Sequence, residues 1–460
     1  MKRNRKGIFL AIVAIFFVVI VPAVIVNYNS SDKEEDLDLS EETDDVADIE
    51  VDVPEKEGDR ITMNDKNENT NLEDNELDSK KWVGTWASAQ QGLNPSQGEY
   101  PPEPGLANNT FRQIVRISVG GEQLRLKFSN EYGKTPLELN SVHISRPYDI
   151  GKSIIFPKFD TIVTFNGGSE SVTLAPGEIV TSDLIDYKAE DLERIAITTY
   201  FGEVPEIVTS HTGSRTTSFL KEGNHVSEIS LEDAVARDHW YFITGIDVLA
   251  SPEHKAIACL GDSTTDGRGV RNNYDDRWTD ILAERLVANE STKHISVLNQ
   301  GIGGNSIFGG LGPPAYKRFD RDILEQESVG YVIVFEGIND IGYASSPSLV
   351  DGIIEKYIEF ADKAHKEGLK IYGATITPFQ GFDSYYTEEH GEMREEIRQE
   401  INAWIRDNDY FDGVIDFDEA LRDKDNPSFL AREYSSDGLH PNVAGYQKMG
   451  EVIDLSLFED

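Results

Sequence analysis

Cysteine is almost absent from this chain: Cys259 is the only one in 460 residues. No intramolecular disulfide can form, and a lipoprotein anchor, which needs a cysteine just after an apolar leader, is excluded. Cys259 itself sits within an apolar run and reads as a small core residue. Basic residues are scarce too, with 43 Lys and Arg against 83 Asp and Glu and a formal charge of −40. Such a surface repels nucleic-acid phosphates and anionic lipid headgroups, so no nucleic-acid partner is expected. Several motifs are also missing. The chain has no H-E-x-x-H or clustered His/Cys set to hold a metal, and no P-loop or G-x-G-x-x-G after a strand to hold a nucleotide, so no cofactor is expected. It also lacks G-x-S-x-G, which disfavours the α/β-hydrolase fold.

What is present is unevenly distributed. Residues 1–7 form a basic end with Lys2, Arg3, Arg5 and Lys6. Residues 8–26 follow as 19 consecutive residues without a charge. At about 1.5 Å per residue this run approaches the roughly 30 Å of a bilayer core. It is longer than a usual signal-peptide core and no clean A-x-A site follows it, so it reads as a signal anchor or, alternatively, a cleaved signal peptide. The base-before, acid-after order places the remainder on the extracellular side of the membrane, or secreted, with this segment as the only membrane contact. Residues 27–80 carry 21 acids and 5 bases over 31–80 and almost no aromatic residue, the composition of a disordered acidic linker.

With 38% hydrophobic and 10% aromatic residues, the rest can bury real cores. Residues 81–250 show short period-two runs broken by Gly, Pro, Asn and Asp. Val115, Ile117 and Val119 alternate with Arg116 and Ser118, and Leu124, Leu126 and Phe128 repeat the scheme. With further runs at 137–145, 160–166, 171–181, 194–201 and 240–249, this predicts an antiparallel β-sandwich. From 251 to 460 the rhythm becomes strand, loop, helix. Apolar runs at 256–260, 295–298, 331–335, 371–376 and 414–417 alternate with helical stretches near 277–289, 316–326, 348–367, 391–407 and 442–457. In one of these, Ile397, Ile401, Trp404 and Ile405 share a helical face. The alternation predicts an α/β domain with a parallel sheet, whose ligands bind at the carboxyl ends of the strands.

Chemistry gathers at those ends. The first strand runs into Gly261-Asp262-Ser263-Thr264-Thr265-Asp266-Gly267, where a serine just past a buried strand suits a nucleophile; a helix cap is the plainer role. The second ends in Asn299-Gln300-Gly301-Ile302-Gly303-Gly304-Asn305-Ser306 and the third in Glu336-Gly337-Ile338-Asn339-Asp340, both rich in hydrogen-bond donors. Before the last helix lies Asp437-Gly438-Leu439-His440-Pro441, an Asp and a His three apart on a bend. Singly these are turn and cap residues, but together they supply every part of an acyl-transfer site.

The four blocks GDSTTDG, NQGIGGNS, GIND and DGLHP resemble, in order, those of the SGNH (GDSL-type) hydrolase family. The resemblance implies a flavodoxin-like three-layer domain and an esterase. It implies Ser263 as nucleophile with Asp437 and His440 completing the triad. The oxyanion donors would be Ser263 N–H, Gly304 N–H and the Asn339 side chain. Gly303-Gly304-Asn305 stands where many members carry Ser-Gly-Asp. The β-rich part, with Trp82-Val83-Gly84-Thr85-Trp86-Ala87, further resembles a two-part branch similar to arylesterases and xylan-associated esterases.

Trp278, Phe308, Phe379, Tyr385 and Tyr386 lie in or near loops that can wall a substrate pocket, with packing as their plainer role. His211, in Ser210-His211-Thr212-Gly213-Ser214-Arg215, is the residue of the β-rich part best placed to touch the site. The expected substrate is a short acyl or aryl ester, including acyl groups on polysaccharide. A lipase, lysophospholipase or thioesterase is the nearest alternative, and a non-catalytic surface carbohydrate-binding protein the more distant one.

Overall fold

The alternating runs of 81–250 form antiparallel strands, and the βα rhythm beyond them forms one parallel sheet covered by helices. The structure, a computed structural model, describes residues 80–97 and 100–459. The apolar run at 8–26 and the acidic segment up to residue 79 lie outside the described residues. Among the described residues no helix is long and apolar enough to cross a membrane.

Three antiparallel sheets make up the N-terminal part. The four-stranded sheet runs in the order Lys81–Ala87, Ile243–Ala250, Leu124–Ser129, Ile179–Thr181. The largest sheet is centred on Asn109–Arg116, Arg194–Phe201 and Leu137–Ser145. Between them lies one apolar core to which Leu124, Leu126 and Ile246 contribute from the first sheet, and Val115, Ile197 and Val142 from the second. The third sheet is small, with Val208–Thr212 between His239–Tyr241 and Gln91–Leu93. Two expected strands are interrupted. The run 171–181 divides into Val172–Leu174 and Ile179–Thr181 around Gly177, whose φ of 82° suits a tight turn. The run 240–249 breaks at Phe242, held at φ 63°, where the chain passes from the small sheet to the four-stranded one.

The parallel sheet has the order Ile295–Gly301, Lys255–Gly261, Val329–Phe335, Lys370–Ala374, Gly413–Ile415. Its side chains divide by strict alternation. Ala258 and Leu260 face the core built with Leu349–Lys366 and Gly391–Arg406, while Ile257 and Cys259 face the core built with Trp278–Val287 and Val443–Val452. Two helical expectations are refined. The stretch 316–326 is an α-helix, Ala315–Phe319, running into a π turn, Asp320–Leu324. The stretch 442–457 stops at Val452, and Asp454 then caps a short 3₁₀ turn by accepting from Ser456 N–H.

The two parts meet along Lys81–Ala87 and the outer parallel strand. Gly84 donates its N–H to Glu327 O at 3.0 Å, and its carbonyl accepts from Ser296 Oγ. A Cβ at Gly84 would lie 3.0 Å from Leu298 Cδ1, a measure of how closely the two parts approach here. Ser118 Oγ donates to Val297 O at 2.9 Å, joining the largest sheet's end to the same strand.

Candidate active site

The strand Lys255–Gly261 ends in a turn that fixes Ser263. Asp262 accepts Thr264 N–H at 2.8 Å and so caps the four-residue helix Ser263–Asp266. Gly267, at φ 101°, closes it by donating to Ser263 O at 2.9 Å. A Cβ at Gly261 would fall 2.1 Å from Thr265 Oγ1, so only glycine lets the helix fold back onto the strand end. This leaves Ser263 about 8 % exposed, with Oγ 3.0 Å from His440 Nε2.

His440 is held from behind. Its Nδ1 lies 2.8 Å from Asp437 Oδ2, and Asp437 Oδ1 accepts the N–H groups of Leu439 (2.9 Å) and His440 (2.8 Å). Partial burial works against the Asp437 charge, but the His440 imidazole and these two N–H groups outweigh it and hold the carboxyl well below the usual range. The bend requires Gly438 (φ 81°), where a Cβ would lie 2.4 Å from the Gly381 carbonyl carbon. Asn442, not Asp437, caps the last helix, accepting Gly445 N–H at 3.1 Å.

Asn339 Oδ1 accepts from the buried Tyr385 hydroxyl. Asn339 Nδ2 donates one hydrogen to Asn305 O at 2.6 Å, which leaves the second for another acceptor. Gly304 (φ 72°) and Asn339 line one groove of about 650 Å³ with Phe308, Tyr343 and Ala344. A Cβ at Gly303 would instead face Asp266 Oδ2. Removing the Asn339 amide by Asn339→Ala is expected to lower kcat by about 10²–10³-fold with little change in KM, measured on a soluble aryl ester.

The expected pocket aromatics separate. Phe308, 41 % exposed, lies in the groove. Trp278 does not: it is fully buried, packed edge-on against Phe417, because it shares the inward helical face of Ile281 and Leu282. Phe379 is core. Tyr385 stands behind Asn339 rather than in the groove wall. Tyr386 packs over Gly391 with its hydroxyl on Glu392, so it is not a groove residue either. His211 of the small antiparallel sheet reaches Asp266 in the Ser263 helix at 2.9 Å. Cys259 is fully buried in mid-strand, where burial pushes its thiol far up.

One residue without a sequence signal organises the strand ends. The buried Arg318 donates to Gly261 O (3.0 Å), Gln300 O (2.7 Å), Asn305 Oδ1 (3.0 Å) and Asp322 (3.0 Å), and lies 3.7 Å from Glu336. Besides Asp322, three carboxyls at these strand ends, Asp262, Glu336 and Asp340, act on one another. Burial, with the Asp340 charge added, pushes Asp262 up to about 7. Burial and then the Asp262 charge push Glu336 well above the usual range, and burial raises Asp340 as well. A carboxyl raised in the folded state keeps protons that the unfolded chain has released, so it costs stability as pH rises. Denaturant stability is therefore expected to fall from about pH 4, where unfolded carboxyls ionise, to about pH 7, and Glu336→Gln to flatten that fall. Among the described residues no group of three His, Cys, Asp or Glu side chains is placed to hold a metal ion.

A serine hydrogen-bonded to a histidine that is backed by a carboxylate, at the carboxyl edge of a parallel sheet, belongs to the serine-hydrolase class. Residues 259–448 match the GDSL-like Lipase/Acylhydrolase family. The chain thus carries a GDSL-type (SGNH) hydrolase domain and is an ester hydrolase. No curated protein matches it. Among solved structures it is similar to a GDSL-like lipase from Bacteroides thetaiotaomicron, at 17% identity over 44% of this chain and 88% of that one, with a TM-score of 0.33. An acetyl xylan esterase is 23% identical over 43% of this chain and 96% of that one (TM-score 0.34). TesA is 21% identical over 43% and 95% (TM-score 0.32). At these scores the likenesses carry no argument, and the assignment rests on the family match and the four blocks.

Proposed function

We propose that the chain is a serine esterase that hydrolyses short acyl or aryl esters, including acyl groups on polysaccharide, through an acyl-enzyme on Ser263. The observation that carries this reading is the 3.0 Å contact between Ser263 Oγ and His440 Nε2, with Asp437 fixing the other ring nitrogen. As Oγ attacks the ester carbonyl, His440 Nε2 takes its proton. The carbonyl oxygen becomes an oxyanion, which Ser263 N–H, Gly304 N–H and the second hydrogen of Asn339 Nδ2 receive. His440 then returns the proton to the leaving alcohol. A water, deprotonated by the same nitrogen, releases the acid and restores Ser263. Asp437 keeps His440 Nδ1 protonated and stabilises the imidazolium between transfers.

The groove beside Asn339 supports a compact acyl or aryl group, since Phe308 and Tyr343 bound it and Gly352 lies at its wall. In this reading residues 81–250 are an accessory part and 251–460 the catalytic part. The segment 8–26 anchors the enzyme to the outer face of the membrane, or leads its secretion. Aryl esters of rising acyl length test the substrate class on the full chain. Acetyl and propionyl esters are expected to turn over fastest, with octanoyl esters slower by about tenfold or more in kcat/KM. A rise with chain length would favour a lipid-ester hydrolase instead.

A further inference from the structure

Asp266 is the last residue of the helical turn that Ser263 opens, and its side chain is about 1 % exposed. Both carboxylate oxygens take their hydrogen bonds from the antiparallel part: Oδ1 from His211 Nε2 at 2.9 Å, Oδ2 from Arg215 Nη2 at 2.8 Å. Among the described residues, no side chain of the parallel-sheet part donates to that carboxylate. Burial works against the charge, yet His211 and Arg215 outweigh it and the carboxyl lies below its ordinary range.

His211 is itself fixed. Its Nδ1 is 2.8 Å from Ala89 O and its Nε2 2.9 Å from Asp266 Oδ1, so both ring nitrogens are engaged. Its ring packs 5.6 Å from Trp240, whose indole donates to Ile114 O and meets Trp86 edge-on. The turn it holds is short, four residues closed by Asp266 N–H on Asp262 O (2.8 Å) and Gly267 N–H on Ser263 O (2.9 Å), so its placement depends on what packs against it. Its backbone is held by Asn299 Nδ2 on Thr265 O and by Arg277 Nε on Asp266 O, and Arg277 reaches with its other arm to Ser214 O. A Cβ at Gly301 would lie 2.3 Å from Asp266 N, so the turn rests directly on the outer strand.

We propose that His211 is a positioning residue for the nucleophile: by holding Asp266 it orients the turn that aims Ser263 Oγ at His440, which makes the antiparallel part a component of the active site. The proposal rests on Ser263 being the nucleophile. Without the His211 hydrogen bond, Asp266 Oδ1 is a buried acceptor without a partner, and the turn shifts to hydrate it. Catalysis is sensitive to such shifts because reacting atoms must stay within near-attack distance.

The test uses the full chain with His211→Ala, His211→Gln and Arg215→Met. It reads kcat and KM on a soluble aryl ester, the rate and site of labelling by a fluorophosphonate, and thermal melting. His211→Ala is expected to lower kcat about 10- to 100-fold, with KM changed by less than about threefold and labelling of Ser263 slowed in step. His211→Gln, whose amide N–H can reach Asp266, is expected to recover kcat to within about fivefold of the parent, and Arg215→Met to lose about tenfold. A folded His211→Ala enzyme with kcat within twofold of the parent would overturn the proposal. If that variant does not fold, Arg215→Met decides, and an unchanged kcat there would overturn it equally. Label on Ser263 with unchanged rates removes the positioning role alone, whereas a parent enzyme labelled elsewhere removes the nucleophile as well.

Discussion

Ser263→Ala is expected to lower kcat by about 10⁵-fold or more, to the residual level that binding and oxyanion donors alone sustain. The size follows from the role. Without Oγ there is no covalent intermediate, and His440 has no proton to take. The fold should be untouched, because the hydroxyl's hydrogen bond is to His440 and the turn is held by Asp262, Gly267 and Asp266. Melting temperature within about 2 °C of the parent is the matching expectation, since a substitution that removes no core packing costs only tenths of a kcal/mol. Activity within tenfold of the parent would contradict the assignment of Ser263.

The largest effect on stability is expected at Arg318. Its side chain is wholly buried and ties together the ends of three parallel strands through Gly261 O, Gln300 O and the neighbourhood of Glu336. Arg318→Met keeps much of the volume and removes the cation, so Gly261 O and Gln300 O lose their donor and the buried Glu336 loses its neighbouring charge, while Asp322 keeps only Arg321. Breaking a buried pair in this way costs about 3–5 kcal/mol. The melting temperature is expected to fall by roughly 5 °C or more. Lys293→Gln is the control, because Lys293 pairs only with Glu290, both side chains are exposed, and a pair of that kind contributes little. Equal melting of the two variants would mean that Arg318 does not organise the strand ends.

Much of this was legible in the sequence wherever one local pattern carried the information. The alternation of Ile257 and Cys259 with Ala258 and Leu260 marks a strand buried on both faces, and the structure sends each pair to a different core. The blocks around Ser263, Asn339 and His440 lie at strand ends or before the last helix, where an α/β sheet gathers ligands. Short elements were harder to read. The run 240–249 has no turn signal at Phe242, and its interruption there is a tertiary event, the change of one sheet for another. Trp278 follows a loop near the site, but its spacing to Ile281 and Leu282 places it on a buried helical face.

Partnerships across the chain were the least legible. Arg318 stands between Lys317 and Phe319 with nothing local to distinguish it from a surface base, and its carbonyl partners come from two other strands. The Tyr385 contact with Asn339 spans 46 residues and the His211 contact with Asp266 spans 55. Such pairs arise only when the sheets assemble, because their hydrogen bonds depend on which loops meet.

The central claim, that ester cleavage passes through a covalent intermediate on Ser263, is tested most directly by titrating the full chain with a fluorophosphonate and locating the adduct by mass spectrometry. The account predicts one equivalent bound, on the peptide containing Ser263, with activity lost in proportion and no adduct in Ser263→Ala. Full ester turnover that survives complete labelling, or an adduct on any other residue, would contradict it.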